Sequence, residues 1–230
     1  MGDPFFLLLL FGIPLISQMV STQMRKRFVE FSKDPMPLSG REAAERMLFE
    51  NGITDVQVMS TAGQLTDHYD PQRKTVNLSQ VVYDQRNVAA VAVATHECGH
   101  AVQHATGYAM LTARSKMVPL MKLSNIAIPV LAFGGAGISQ IAGNHGTAML
   151  LLVAMGLPAL FSLVTLPVEF NASRRALNWL EDVGIAVGDQ YAGARKALFW
   201  AAMTYVVAAL GAIIQALYFA KFFLGRGRRV

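Results

Sequence analysis

The sequence predicts a mainly α-helical integral membrane protein, with about four transmembrane helices and a small α+β part outside the lipid. Three observations predict it. Of 230 residues, 53% are hydrophobic and only 15% are charged, a balance that suits a chain buried largely in lipid. The apolar residues collect into four long runs separated by polar chain. Residues 22–118, by contrast, carry helix caps, strand-like runs and turn signals, as a water-facing domain does.

The first run, residues 5–21 (FFLLLLFGIPLISQMVS), is about long enough to span a bilayer, with Pro14 as an expected kink. A cleaved signal peptide would want a positive start and a small-residue cleavage site. This segment begins Met-Gly-Asp and is followed by Arg25-Lys26-Arg27, so it reads as a retained anchor. The basic cluster places the next domain in the cytoplasm. There, Ser39-Gly40-Arg41-Glu42 is a capping-box pattern that opens a helix through Phe49, stopped by Gly52. Asp55–Ser60 and Lys74–Leu78 read as strands. Asp70-Pro71 is a turn signal that would pair Leu65–Tyr69 with Lys74–Leu78 as a hairpin. Asn87 can cap, and Gly107 can end, a further helix of about 19 residues without proline.

Three more apolar runs follow. Leu123–Ala142 contains Pro129 and the small run Gly134-Gly135-Ala136-Gly137, where another helix can pack closely. Thr147–Leu166 is joined to it by the short linker Gly143–Gly146, which makes the two an antiparallel pair. Leu198–Leu224 is long enough to need tilt or an extension beyond the lipid. The expected organisation is an anchor (1–21), a cytoplasmic part (22–118), a membrane hairpin (119–168), a returning helix and loop (169–197), and a last membrane helix with a basic tail (198–230). One feature conflicts with the charge rule. A single crossing by the last run sends Lys221, Arg226, Arg228 and Arg229 outside, unless that run is re-entrant or partly interfacial.

The helix after Asn87 carries His96-Glu97-Cys98-Gly99-His100, an H-E-x-x-H pattern. Residues four apart share a helix face, so His96 and His100 can meet one metal ion, while Glu97 stands beside them, placed to hold a water rather than to ligate. A zinc peptidase site needs a third protein ligand and leaves a fourth position open. His104 fails, because on an unbroken helix it stands about 12 Å of rise from His96. His145 falls across the membrane. Glu169 lies at the cytoplasmic end of a membrane helix, and Ala172, Ser173 and Ala176 on its face would admit the His96/His100 helix closely. His68 in the hairpin is the competing third ligand. His68 and Tyr69 can also line a cleft beside the motif, or merely pack the turn. Arg174 and Arg175 suit either a substrate carboxylate or phospholipid headgroups. Cys98, the single cysteine, excludes an intramolecular disulfide and reads as a packing residue. The net charge of +5 comes without a basic stripe interleaved with aromatics, so no nucleic-acid partner is expected.

The segments HYDP at 68–71, HECGHAVQH at 96–104, VEFNASRRAL at 168–177 and AAMTYVVAA at 201–209 resemble those of the YugP-type membrane-bound neutral zinc metallopeptidases. More distantly the chain is similar to the HtpX-like proteases of the gluzincin type. The resemblance covers nearly the whole chain. It implies a gluzincin-like catalytic part, one Zn²⁺ held by His96, His100 and Glu169, and Glu97 as the base. It also implies polypeptide substrates at or near the bilayer, and a multi-pass protein of the cell (inner or plasma) membrane with its site facing the cytoplasm. One departure stands out. The related pattern often carries an acid shortly after the ligand glutamate, and this chain has Asn171 and Ser173. Three rivals are weaker. An intramembrane protease of the site-two type would need an Asp-Gly, which the chain lacks, and Val88–Ala94 is too short to span. A non-catalytic zinc scaffold would close its site with four ligands and would not need Glu97. A transporter or channel would show ionisable residues inside its spans.

Overall fold

The computed structural model describes residues 3–226, with the side chains of 135–144 and 222–226 outside the description. It is mainly helical, with a small three-stranded sheet. Four helical stretches are long and apolar enough to cross a membrane: Pro4–Phe31, Ala109–Gly134, His145–Asp182 and Asp189–Lys221. Large apolar side chains stand open along them, with Phe133 90% and Leu217 65% exposed, which suits hydrocarbon far better than water.

The chain starts with α1 (Pro4–Leu7), passes through a π-helical turn at Leu8–Gly12, and continues as α2 (Ile13–Phe31). Pro14 has no N–H to return to the carbonyl one turn back, and the widened turn falls just before it. The expected kink therefore takes the form of a π turn, and the helix runs on past Arg25-Lys26-Arg27.

Two compact units follow from the packing. The first comprises Met1–Met19, Ala113–Leu166 and Thr204–Val230. Helix α6 (Ala109–Asp182) supplies its middle part. Its backbone is helical throughout, yet Ser124 Oγ donates to the carbonyl of Ala154 thirty residues later. A straight helix would hold those residues about 45 Å apart. The chain must therefore double back between them. The small residues Gly135-Ala136-Gly137 and Gly143, expected to pack and turn here, lie outside the described side chains. In the same unit the rings of Phe6 and Tyr218 sit 6.2 Å apart.

The second unit comprises Val20–Thr112 and Pro167–Met203. It holds α3 (Gly40–Glu50), β1 (Gln57–Thr61), β2 (His68–Asp70), β3 (Thr75–Ser79), α4 (Gln80–Tyr83), α5 (Val88–Ala105), the end of α6 and the start of α7 (Asp189–Arg226). The capping box forms as read. Glu42 N–H donates to Ser39 Oγ at 3.2 Å, and Ser39 N–H donates to Glu42 Oε2 at 2.9 Å. β3 is central, parallel to β1 and antiparallel to β2, with Tyr69 opposite Val76. The hairpin turn is tied by Asp70 Oδ1, which accepts from Gln72 N–H at 2.8 Å and Arg73 N–H at 3.0 Å. The strands are shifted or shorter than read. Leu65 and Lys74 adopt φ of 57° and 52°, which no strand accommodates, so β2 cannot reach back to Leu65 and β3 cannot begin at Lys74.

Buried side chains of α3 (Ala43, Ala44, Met47) pack with the alanine-rich first turns of α5, with Val76 and Leu78 of the sheet, and with Trp179, Leu180, Ala194 and Leu198 of α6 and α7. Trp179 Nε1 donates to Glu50 Oε2 at 2.7 Å, so the tip of this large ring is satisfied at the edge of the core. α7 is helical from end to end. Its Asp189–Lys221 stretch has 33 residues, about 50 Å long, so it must extend beyond a hydrocarbon layer of about 30 Å unless strongly tilted.

Candidate metal centre

The candidate site is built on α5 and on the turn of α6 that begins at Pro167. Asn87 Oδ1 accepts the Ala90 N–H at 2.9 Å and opens α5, and Gly107, at φ 63°, lets the chain leave it. Along the helix His96 and His100 stand one turn apart, their rings 4.9 Å between centroids and nearly perpendicular. Glu169 meets them from α6 and is only 1% exposed. Its Oε2 is 3.3 Å from His96 Nε2 and 3.6 Å from His100 Nε2.

Close approach of the two backbones makes this possible. The residues on the α6 side are small, Ala172, Ser173 and Ala176, and all are buried. On the α5 side the matching gap is Gly99. A Cβ placed there would stand 2.6 Å from the carbonyl oxygen of Ala172, closer than any real contact allows. Any side chain at 99 would push Glu169 away from the imidazoles.

The donor set itself is the test of fit for a metal. Among the described residues, His96, His100 and Glu169 form a group whose three ligand atoms all lie within 4.8 Å of one another. Zinc bonds of about 2.0–2.2 Å put tetrahedral ligands roughly 3.3–3.6 Å apart. The two measured nitrogen–oxygen separations fall in that range, and two nitrogens with one oxygen suit zinc.

The far nitrogen of each imidazole is held by a neutral partner. His96 Nδ1 lies 3.1 Å from Ser173 Oγ, and His100 Nδ1 lies 3.0 Å from Gln103 Oε1. For His100 the surrounding chain fixes the tautomer. Arg175 can only donate, and its Nε gives a 2.9 Å bond to Asn171 Oδ1. That oxygen also accepts from Gln103 Nε2 at 3.0 Å, and the same Nε2 donates to the Val168 carbonyl at 2.8 Å. Gln103 Oε1 is therefore an acceptor, His100 Nδ1 carries the hydrogen, and His100 Nε2 presents its lone pair towards Glu169.

Burial disfavours charge on His100, but the Glu169 carboxylate facing it and the charge of Glu97 outweigh that and raise its pKa above the ordinary imidazole value. The same two carboxylates would favour a bound cation. Cys98 points the other way, fully buried beside the Ala44 carbonyl. Burial, helped by the charge of Glu97, pushes its thiol well above the usual range. It packs, as read from the sequence.

Glu97 reaches towards the sheet. Its Oε2 accepts the backbone N–H of Tyr69 at 3.1 Å, so β2, an outer strand of the sheet, lies against the residue beside the candidate ligands. The Tyr69 hydroxyl bonds His104 Nδ1 at 2.8 Å. Burial, with the nearby carboxylates of Asp55 and Asp70, raises the pKa of Tyr69, so the phenol stays protonated at neutral pH. His104 is exposed at the end of α5 and stands outside the cluster. So does His68, whose Nδ1 lies 2.7 Å from the Thr66 carbonyl and whose Nε2 lies 3.3 Å from Asn77 Nδ2. Arg175, read as a headgroup or substrate contact, instead braces Asn171.

Two residues escaped the sequence reading. Gln103 is fully buried (0% exposed) one turn past His100, and a polar residue on an otherwise apolar helix face was its only signal. Gly99 was a free position in the motif, and no other feature of the sequence marked it as a contact.

The chain is 40% identical over 186 residues, 81% of each chain, to the "Putative membrane protease YugP" of Bacillus subtilis (strain 168). No solved structure matches it. The model of the family described as "Putative neutral zinc metallopeptidase" matches residues 5–224. With so little of the sequence left outside that match, this chain belongs to the neutral zinc metallopeptidase family, and the metal that the family implies is Zn²⁺.

Proposed function

We propose that the protein is a zinc-dependent endopeptidase of gluzincin type, with His96, His100 and Glu169 holding one Zn²⁺ and Glu97 acting as the general base. The observation that carries the reading is the convergence of two imidazoles from α5 and one carboxylate from α6, with Glu97 beside them and an outer strand against it. Three protein ligands leave a position open, as a catalytic site requires. Zinc bound there would supply a Lewis acid that polarises the scissile carbonyl and lowers the pKa of water towards neutrality. Glu97 takes the proton of the attacking water and passes it to the leaving amine. The N–H of Tyr69 holds that carboxylate in place. His68 and Tyr69 border the substrate path on the sheet side, and an extended polypeptide is the substrate class that an outer strand accepts.

Membrane or membrane-proximal proteins are the substrates this reading assigns, because four helical stretches among the described residues are long and apolar enough to cross a membrane. Arg25-Lys26-Arg27, which directly follow the first apolar run, support the cytoplasmic face of the cell membrane as the location of the site.

The test is Glu97→Gln in the purified full-length protein. The amide keeps the shape and loses the basicity, so we expect normal zinc content and casein hydrolysis lowered by about 10²–10⁴-fold. In the wild type, a chelator should abolish hydrolysis and added zinc should restore it. Near-normal turnover by the variant at full zinc content would remove Glu97 as the base.

A further inference from the structure

We propose that a groove between the end of α6 and the start of α7 is a binding site for the headgroup of an anionic phospholipid. The groove has a volume of about 810 Å³ and is lined by side chains of these two helices, within the range of ligand sites generally. Its lining falls into three tiers, each about one helical turn (about 6 Å) from the next. Asn178 and Tyr191 stand nearest the connection at 183–188. Arg174, Arg195 and Lys196 form the middle tier. Phe170, Phe199 and Ala202 form the tier farthest from the connection. Both helices are membrane-crossing candidates that end at this connection, so the tiers run from the aqueous side towards the hydrocarbon.

The charge is one-sided. Three cations line the groove and no carboxylate does. Among the described residues, none of the three has an acidic partner. Exposed cations between membrane helices, above open aromatic faces, fit a molecule with a phosphate head and an apolar tail. Arginine binds phosphate with a planar pair of donors, which favours phosphate over a simple counter-ion. A peptide carboxylate fits less well, since no strand of the sheet lines the groove and a peptide there would have no partner for its backbone. The inference is independent of the peptidase reading, although the two sites are neighbours. Ser173, in the groove wall, is the residue whose hydroxyl stands 3.1 Å from His96 Nδ1.

The experiment uses the full-length protein in nanodiscs of equal phosphatidylglycerol and phosphatidylcholine, with retained lipid measured by native mass spectrometry. The wild type should retain phosphatidylglycerol over phosphatidylcholine by about tenfold or more, since each cation near the surface adds severalfold. The triple variant Arg174→Gln, Arg195→Gln, Lys196→Gln should lose the preference, and Arg174→Lys with Arg195→Lys should keep most of it. Inorganic phosphate in excess should not displace the lipid. No preference in the wild type, or an undiminished one in the triple variant, overturns the proposal. Displacement by phosphate, or capture of a glutamate-rich peptide without lipid preference, overturns it in favour of a free anion or a substrate contact. Zinc content measured on each variant reports folding. If the triple variant does not fold, the wild-type preference and the lysine variant decide the case.

Discussion

Gln103→Leu tests the most specific claim made of the site, that a chain of neutral groups fixes the tautomer of His100. Leucine has nearly the volume of glutamine and none of its polar atoms. The substitution removes three hydrogen bonds, those to His100 Nδ1, the Val168 carbonyl and Asn171 Oδ1. Asn171 keeps Arg175 and the Val168 carbonyl keeps its bond within the α6 helix, so one buried group, His100 Nδ1, is orphaned. At about 1–3 kcal/mol for such a group, the fold should lose about that much. His100 is then free to carry its hydrogen on either nitrogen, and zinc affinity should fall by about 10–100-fold, the usual cost of removing a partner that orients a ligand. Competition against a chelator of known affinity measures that loss, and thermal unfolding of the metal-free protein measures the other. Arg175→Met is the companion, because it spares the buried amide and removes the donor that fixes how Asn171 faces, together with one long, exposed contact to Thr106. A severalfold loss of affinity is expected there with the fold intact. Zinc affinities within about twofold of wild type in both variants would refute the tautomer argument. Should Gln103→Leu fail to fold, Arg175→Met carries the test alone.

Three other outcomes are expected. Glu169→Ala should lose most bound zinc and all hydrolysis, whereas His68→Ala should keep zinc and lose at most turnover; zinc stoichiometry on both variants decides it, and the reverse pattern would move the third ligand to the hairpin. Gly99→Ala places a Cβ 2.6 Å from a backbone oxygen that cannot swing aside, so about 1–3 kcal/mol of stability should go, together with part of the zinc. A variant that melts with wild type and binds a full equivalent would show that the helices can separate freely. Cysteine reporters near Lys33 and near Asp189 should label from the cytoplasmic side, and labelling of both from outside would invert the proposed orientation while leaving the site intact.

The parts of the fold that were legible depend on local chemistry. The capping box at Ser39 and Glu42, the Asn87 cap, the Gly107 exit and the Asp70 turn each act through atoms within a few residues, and each appears in the structure. The length of the apolar runs likewise announced the helices that are long and apolar enough to cross a membrane. The strand limits were less legible, because Leu65 and Lys74 take up left-handed backbone for reasons of the turn around them, which their side chains do not advertise. In the site, the small face beyond Glu169 was visible because alanines and a serine recur at helical spacing. Its counterpart was hidden, since a glycine inside the motif looks like an unconstrained letter until the facing carbonyl is known.

The neutral partners of the imidazoles, at first sight a departure from the related pattern, follow from charge. Glu169 and Glu97 are both almost wholly buried and bring two negative charges to the cluster, and a divalent zinc ion would cancel them. A third carboxylate at 103 or 173, where the structure has glutamine and serine, would leave the buried site with a net negative charge and no cation of its own. Burying an uncompensated charge costs several kcal/mol. Arg175, on the same stretch of α6, is already committed to Asn171 and reaches Thr106 at 3.4 Å. A glutamine does the orienting without that penalty. Its oxygen accepts from His100 while its amide is anchored by two oxygens of α6. The loss in ligand basicity that a neutral acceptor brings is offset by the immobility of a side chain held at three points.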